Sequence, residues 1–170
     1  MSQPTIRPAQ PPDLAAVGAI YATSVRTGVA TFDVEEPPLA YWQGKLDSCA
    51  VGDHFLVACD HDELLGFAYS GAFRSRPAYC RTRETSVYLA PAATGRGLGT
   101  RLYTELLDLL RTAGVHLVVA VVAQPNPASN ALHRKVGFTE VGTLDEVGYK
   151  FGAYVSTTWF QLRLDRRRPG

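Results

Sequence analysis

The chain has 170 residues, of which 46% are hydrophobic and 19% are charged, and its formal net charge is +1. This length predicts one domain over residues 1–170, and the near-neutral charge argues against nucleic acid or an anionic membrane surface as a partner. No run of about 18 apolar residues suggests a membrane span, and the first residues lack the features of a secretory signal. The odd and scattered set of Cys49, Cys59 and Cys80 favours reduced thiols in a cytoplasmic protein.

Hydrophobic periodicity predicts strands and helices in the order β-α-α-β-β-β-α-β-α-β-β. The predicted strands are Thr5–Pro8, His54–Cys59, Leu64–Ala72, Glu84–Leu89, His116–Ala123, Gly142–Val147 and Val155–Leu164. The predicted helices are Asp13–Val25, a helix after Pro37 and Pro38, Gly99–Ala113 with an apolar stripe of Leu102, Leu106, Leu109 and Leu110, and a short helix that begins at Pro127 and ends at Gly137. This order is typical of an α/β fold with a mixed sheet, and residues 166–170 are predicted to be a disordered tail.

The segment ETSVYLAPAATGRGLG, residues 84–99, carries the strongest local signal. An acidic residue begins an alternating strand, and Gly95, Gly97 and Gly99 follow at every second position, directly before an amphipathic helix. Backbone N–H groups in such a turn and the helix dipole favour a bound anion, which predicts a phosphate-bearing ligand. The spacing breaks the G-x-G-x-x-G fingerprint and lacks the Lys of a P-loop, so a plain flexible turn is the alternative for the loop taken alone.

The succession of this loop, an amphipathic helix, an apolar strand and NPASNALHRKVGF resembles the GNAT superfamily of N-acetyltransferases. The segments GVATFD, RPAY, RETSVYL and EVGYKFG resemble its phosphinothricin and methionine sulfoximine N-acetyltransferase branch. The resemblance implies the GNAT fold, a central mixed and mostly antiparallel twisted sheet flanked by helices. It also implies acetyl-CoA as acetyl donor, no metal, a small-molecule amine as acceptor, and a homodimer. The chain departs from the pattern at Thr94, where the superfamily has Gln or Arg, and at Tyr154 and Ser156, where the branch has Trp and Asp.

The same resemblance assigns the residues that hold the donor. The loop and helix start that would bind the pyrophosphate are Gly95, Arg96, Gly97, Leu98, Gly99 and Thr100. The strand backbone that would hold the acetyl carbonyl is that of Val87, Tyr88 and Leu89. Asn126 and Ser129 follow the buried strand, where the pantetheine arm would lie; Asn126 can equally cap the helix that follows.

Glu84 is the predicted general base, because the amine of an amino acid is mostly protonated at neutral pH and must lose a proton before it attacks a thioester. The alternative is a surface ion pair between Glu84 and Arg81 or Arg83. His133 stands where many members of the superfamily have a Tyr that protonates the departing thiolate. An imidazole can donate such a proton, and a histidine that only packs in the structure is the alternative.

The predicted acceptor residues are Arg74, Arg76, Tyr79 and Phe32. A guanidinium matches a carboxylate or phosphinate in a bidentate manner, and an aromatic ring can supply an apolar wall. These residues predict a small anionic acceptor, and the resemblance implies an amino acid or analogue such as phosphinothricin, methionine sulfoximine or methionine sulfone. A polyamine, an aminoglycoside or a protein N-terminus is the alternative acceptor, and a protein that binds acetyl-CoA without turnover is the alternative function.

Overall fold

A computed structural model describes residues 3–164, so the predicted tail lies outside the described residues. Within this range seven strands form one sheet in the order β1-β2-β3-β4-β5-β7-β6. The strands are β1 Thr5–Pro8, β2 Phe55–Asp60, β3 Glu63–Ala72, β4 Thr82–Leu89, β5 Leu117–Ala123, β6 Thr139–Lys150 and β7 Ala153–Arg163. The α-helices are α1 Leu14–Thr27, α2 Leu39–Leu46, α3 Leu98–Thr112 and α4 Pro127–Lys135. The predicted element order and mixed sheet are thereby confirmed.

Among the described residues, β4 and β5 are the only parallel neighbours, and their pairing is short. It joins Thr82–Glu84 to Leu117–Val119 and then stops. Beyond this point β4 continues along β3 as far as Leu89, and β5 continues along β7 as far as Ala123. The two central strands therefore separate at their carboxyl ends and leave an opening in the middle of the sheet.

Two apolar cores cover the two faces of the sheet, and β4 contributes side chains to both. Val87 and Leu89 pack against the core beneath α3, whereas Tyr88 packs against the core beneath α1 and α2. Because successive strand residues point to opposite faces, Glu84 shares the α1 and α2 face with Tyr88. The candidate base is thus placed on the sheet face opposite α3.

Two details of the predicted elements are wrong. β6 is twelve residues long rather than the six predicted. Ten of its twelve positions are exposed, the exceptions being Gly148 and Lys150, so the strand shows no hydrophobic alternation that would mark its ends. Leu109 does not belong to the buried stripe of α3, since it is 38% exposed. The buried face of the helix instead includes Leu98, Tyr103 and Leu107, which widens the stripe on its other side.

Candidate active site

A cleft of about 510 Å³ lies in the opening between β4 and β5 and extends to the start of α3 and to α4. Nearly all of the residues predicted to bind the donor line this cleft: Val87, Tyr88, Leu89, Gly95, Gly97, Leu98, Gly99, Thr100, Asn126 and Ser129. The remaining one, Arg96, lines a separate cavity of about 160 Å³ beside Gln3 and Pro4. The separation of the two strands thus brings together residues that lie more than 40 positions apart in the chain.

The glycine loop forms one end of the cleft. Gly95 and Gly97 both have a φ of +74°, in the left-handed region that glycine enters without strain, and a Cβ on either would meet nothing within 4 Å. The first helical hydrogen bond of α3 runs from the N–H of Arg101 to the carbonyl of Gly97. The preceding N–H groups, those of Leu98 to Thr100, therefore have no partner one turn back. Open space above unpaired amides at a helix N-terminus fits a pyrophosphate.

Every second N–H group at the carboxyl end of β4 faces the cleft. The carbonyl of Arg81 accepts hydrogen bonds from the N–H groups of His116 and Leu117, where β5 begins, while the N–H of Ala90 donates to Leu65 on the opposite side, in β3. Backbone groups alternate in direction along a strand, so the N–H groups of Val87 and Leu89 face the opening and that of Tyr88 faces β3. Of the three residues predicted to hold the acetyl carbonyl, two therefore direct their N–H groups into the cleft, and the third directs its N–H group towards β3.

Glu84 is the last residue of β4 that pairs with β5, at the point where these two strands begin to separate. Its side chain is half-buried, and this burial raises the pKa of the carboxyl group; the positive charges of Arg74 and Lys45 oppose the rise. The alternative ion pair with Arg83 is not formed, because Arg83 is buried against Asp53 at 3.2 Å and donates to the carbonyl of Val51. Glu84 makes no ion pair with any described residue, which leaves the carboxylate available to accept a proton.

His133 lines the cleft but is only 4% exposed, and both of its ring nitrogens have partners. Nδ1 lies 2.7 Å from the carbonyl of Ser129, which can only accept, so Nδ1 carries the proton of the neutral ring. Nε2 lies 3.0 Å from the hydroxyl of Tyr103, which lies 2.7 Å from the hydroxyl of Thr85 on β4. Burial lowers the pKa of His133. At neutral pH the ring is therefore uncharged, and its Nε2 accepts a hydrogen bond.

Asn126 caps α4, which is one of the two roles predicted for it. Its side-chain Oδ1 accepts a hydrogen bond from the N–H of Ser129 at 3.0 Å, while the residue also lines the cleft. Pro127 occupies the first position of the helix, as predicted. The contact of Asn126 and Ser129 with a pantetheine arm stays a prediction.

The predicted acceptor residues lie outside the cleft, on more exposed surfaces. Phe32 is 40% exposed and Tyr79 is 41% exposed, and the side chains of Arg74 and Arg76 are exposed too. Of the two arginines, Arg74 is the one whose charge acts on the Glu84 carboxyl. Arg74 therefore lies within electrostatic reach of Glu84, whereas Arg76 is not among the charges that act on this carboxyl.

Sequence reasoning missed three side chains next to these groups. Lys45 of α2 lies 4.0 Å above the ring of Tyr69 and within electrostatic reach of Glu84. Thr85 and Tyr103 form the buried hydrogen-bonded chain to His133. Each falls inside an ordinary helical or strand pattern, so only the tertiary fold reveals its position.

No three His, Cys, Asp or Glu side chains within residues 3–164 come together in a group that could hold a metal ion. Over the same range no helix combines the length and apolarity needed to cross a membrane.

Comparison with known proteins identifies the family. Residues 19–138 match the family model described as acetyltransferase (GNAT) family. The chain is 41% identical to a phosphinothricin N-acetyltransferase of Streptomyces coelicolor, covering 94% of this chain and 95% of that protein. It is 37% identical to the L-methionine sulfoximine/L-methionine sulfone acetyltransferase of Pseudomonas aeruginosa, over 96% of each.

A solved structure shows the same fold with the donor in place. The GNAT superfamily phosphinothricin acetyltransferase of Sinorhizobium meliloti, in complex with acetyl-CoA, matches with a TM-score of 0.91 and 35% identity over 96% of this chain and 89% of that chain. These matches extend over the loop, the cleft and the predicted base. The chain therefore belongs to the GNAT family of acetyltransferases, in the branch that resembles the phosphinothricin and methionine sulfoximine enzymes.

Proposed function

We propose that this acetyltransferase moves an acetyl group from acetyl-CoA to the α-amino group of a small amino acid or analogue, of the phosphinothricin, methionine sulfoximine or methionine sulfone class. The observation that carries the proposal is the position of Glu84. Glu84 is half-buried where β4 and β5 separate, and the next two residues, Thr85 and Ser86, line the cleft that fits the donor. The names of the relatives support the same acceptor class.

Acetyl-CoA supplies an activated thioester, and the chain's own groups bind and orient it. The amides of Leu98 to Thr100 at the start of α3 would hold the pyrophosphate, with Gly95 and Gly97 leaving room for it. The N–H groups of Val87 and Leu89 would donate to the thioester carbonyl. Donors fixed in the backbone need no reorganisation as negative charge develops on that oxygen, which is the main electrostatic source of rate in acyl transfer.

Glu84 would accept the proton of the acceptor ammonium, directly or through one water. Burial raises the pKa of its carboxyl group, which makes the carboxylate a better proton acceptor than an exposed glutamate. The positive charges of Arg74 and Lys45 oppose that rise in pKa and so favour the ionised form of the carboxyl group. The balance suits a base that must be charged at neutral pH and still take up a proton.

The departing thiolate needs a proton, and His133 was the predicted donor. Its lowered pKa and the hydrogen bond that Nε2 accepts leave no acidic proton facing Tyr103 at neutral pH. We therefore assign His133 to fixing the wall of the cleft, through Tyr103 and Thr85, and assign protonation of the thiolate to water. This assignment predicts that a His133 variant retains the pH profile of the wild type.

The charges around Glu84 favour an acceptor that carries an acidic group. Arg74 and Lys45 both bring positive charge to this side of the sheet. A guanidinium binds a carboxylate or phosphinate well, whereas a polyamine or an aminoglycoside would be repelled. The charge pattern thus argues for an amino acid over a polycationic acceptor.

A homodimer is also proposed, through the outer surface of β6 and β7. Six large apolar side chains here are between 48% and 67% exposed: Val141, Leu144, Val147, Tyr149, Phe151 and Tyr154. Apolar surface of this extent on one hairpin is typical of an association site. Sedimentation velocity should show a dimer for the wild type and a monomer for Val147→Glu with Tyr154→Glu; a monomeric wild type would refute the proposal.

A thiol-release assay tests the acceptor class. Acetyl-CoA is held constant while methionine sulfone, phosphinothricin, spermidine, an aminoglycoside and a short peptide are supplied in turn. We expect the highest kcat/KM for the two amino-acid analogues. A higher value for the peptide or the polyamine would refute the acceptor class, and binding of acetyl-CoA without turnover of any amine would refute an enzymatic role.

A further inference from the structure

The loop between α1 and α2 carries Phe32, and residues 28–33 are here named the acceptor loop. Its outer side is held by a cation from the far end of the chain. Lys150 of β6 is only 4% exposed, and its Nζ donates to the carbonyls of Gly28 and Thr31, both at 2.9 Å. A buried ammonium is tolerated only when its donors are paired, so these two bonds join β6 to the acceptor loop.

A second β6 residue contacts the acceptor loop directly. The ring of Phe32 lies against Gly148, so closely that a Cβ at this position would fall within 3.0 Å of three ring carbons. The space that the ring occupies therefore exists only because Gly148 has no side chain. Gly148 and Lys150 lie two positions apart in the EVGYKFG segment, to which the mechanism above assigns no role.

The inner side of the loop is fixed by the core. The hydroxyl of Tyr21 lies 2.6 Å from that of Thr31 and donates to Asp33 at 2.7 Å. Between these anchors, Ala30 lines the donor cleft. The acceptor loop thus contributes to the cleft with one residue and carries a predicted acceptor residue, Phe32, while β6 and α1 hold it from opposite sides.

We propose that Lys150 and Gly148 are positioning residues for the acceptor: they set the place of Phe32 and of the acceptor loop without touching either substrate. The inference deepens the proposed function and rests on it. Lys150 fixes the loop backbone, and Gly148 admits the aromatic ring. Specificity for the acceptor side chain then depends on a strand more than 110 residues away in sequence from the loop it supports.

Two independent variants and a matched control test the proposal. Lys150→Met removes the ammonium but keeps an unbranched side chain, and Gly148→Ala displaces Phe32. Gly142→Ala on the same strand is the control, because a Cβ there meets nothing within 4 Å. We expect KM for methionine sulfone to rise about tenfold in both variants. Lys150→Met removes the two hydrogen bonds that a charged group makes to the acceptor loop, and Gly148→Ala moves the Phe32 ring from its place. KM for acetyl-CoA should change less than twofold, and the control should match the wild type.

A double-mutant comparison with Phe32→Ala distinguishes a positioning role of Lys150 from a general loss of structure. In the Phe32→Ala background, Lys150→Met should raise the acceptor KM by much less than tenfold, because the group it positions is gone. The proposal would be overturned if Lys150→Met raised the acceptor KM by the same factor with and without the Phe32 ring. It would also be overturned if Lys150→Met and Gly148→Ala weakened acetyl-CoA binding as much as they weakened acceptor binding.

Amide hydrogen exchange tests, without any acceptor present, whether Lys150 anchors the acceptor loop. Lys150→Met should speed amide exchange in residues 28–33 and leave the glycine loop unchanged, since the two bonds it removes end in the acceptor loop. Unchanged exchange in this loop would refute the anchor. Absence of turnover by the wild-type enzyme with every amino acid would instead refute the proposed function, so the two failures are distinguishable.

Discussion

The donor side and the acceptor side of this molecule are built in different ways. The donor cleft is formed by backbone groups and small residues at the ends of β4 and β5 and at the start of α3. The proposed acceptor side consists of exposed or half-exposed side chains from three separate segments, those of Phe32, Lys45 and Arg74. A backbone site binds a feature shared by all CoA thioesters, whereas side chains can change and so select the amine. Substitutions should therefore affect one substrate at a time.

The largest effect is expected at the junction of the two sides. Glu84→Gln removes the base and keeps the shape of the side chain, so kcat should fall by about 10²–10⁴ at pH 7. The loss should ease as pH rises, because the free amine then forms without help. Affinity for acetyl-CoA, measured by calorimetry, should not change. A loss that stays constant up to high pH would show that Glu84 is structural.

The acceptor side alone should respond to Arg74→Met. KM for methionine sulfone should rise about tenfold or more, since the proposed charge-assisted contact between Arg74 and the acceptor carboxylate would be lost, while KM for acetyl-CoA stays the same. Arg74 also holds the pKa of Glu84 down, so its removal should move the acidic limb of the kcat/KM profile to higher pH. Arg81→Met, an exposed arginine near the same loop, is the control. Equal effects of the two variants would contradict a specific role for Arg74.

The donor side alone should respond to Gly97→Ala. Its φ of +74° is left-handed, and an alanine there is strained by about 1 kcal/mol. The added methyl also enters the open space above the helix start. The dissociation constant for CoA should therefore rise about tenfold, with KM for the acceptor unchanged. Gly44→Ala, in open space on α2, is the control, and unaltered CoA affinity in Gly97→Ala would place the pyrophosphate elsewhere.

The same contrast explains how much the sequence predicts. The glycine loop, the capping Asn126 and the position of Glu84 in β4 are local patterns, and the structure places them together at one opening. Lys45, Tyr103 and Lys150 carry no local signal, because each acts on a group from another part of the chain. Edge strand β6 was predicted too short for a related reason, since its exposed side chains lack the alternation that marks a half-buried strand.

The smallest expected effect concerns stability rather than catalysis. Burial lowers the pKa of His133 in the folded state, so as pH falls below about 6.5 the unfolded chain takes up a proton first. The contribution of His133 is therefore complete above that pH and is lost as pH falls towards the lowered pKa. The urea midpoint of the wild type should drop more between pH 7 and pH 5 than that of His133→Gln. Equal drops would show that the ring is not held neutral by the fold.

A crystal structure with CoA and methionine sulfone tests the central claim most directly. The account predicts the pyrophosphate on the amides of residues 98–100, the pantetheine arm between β4 and β5, and the acceptor nitrogen within hydrogen-bonding distance of Glu84 or one water away. A CoA bound outside this cleft, or an acceptor nitrogen far from the Glu84 carboxylate, would contradict it.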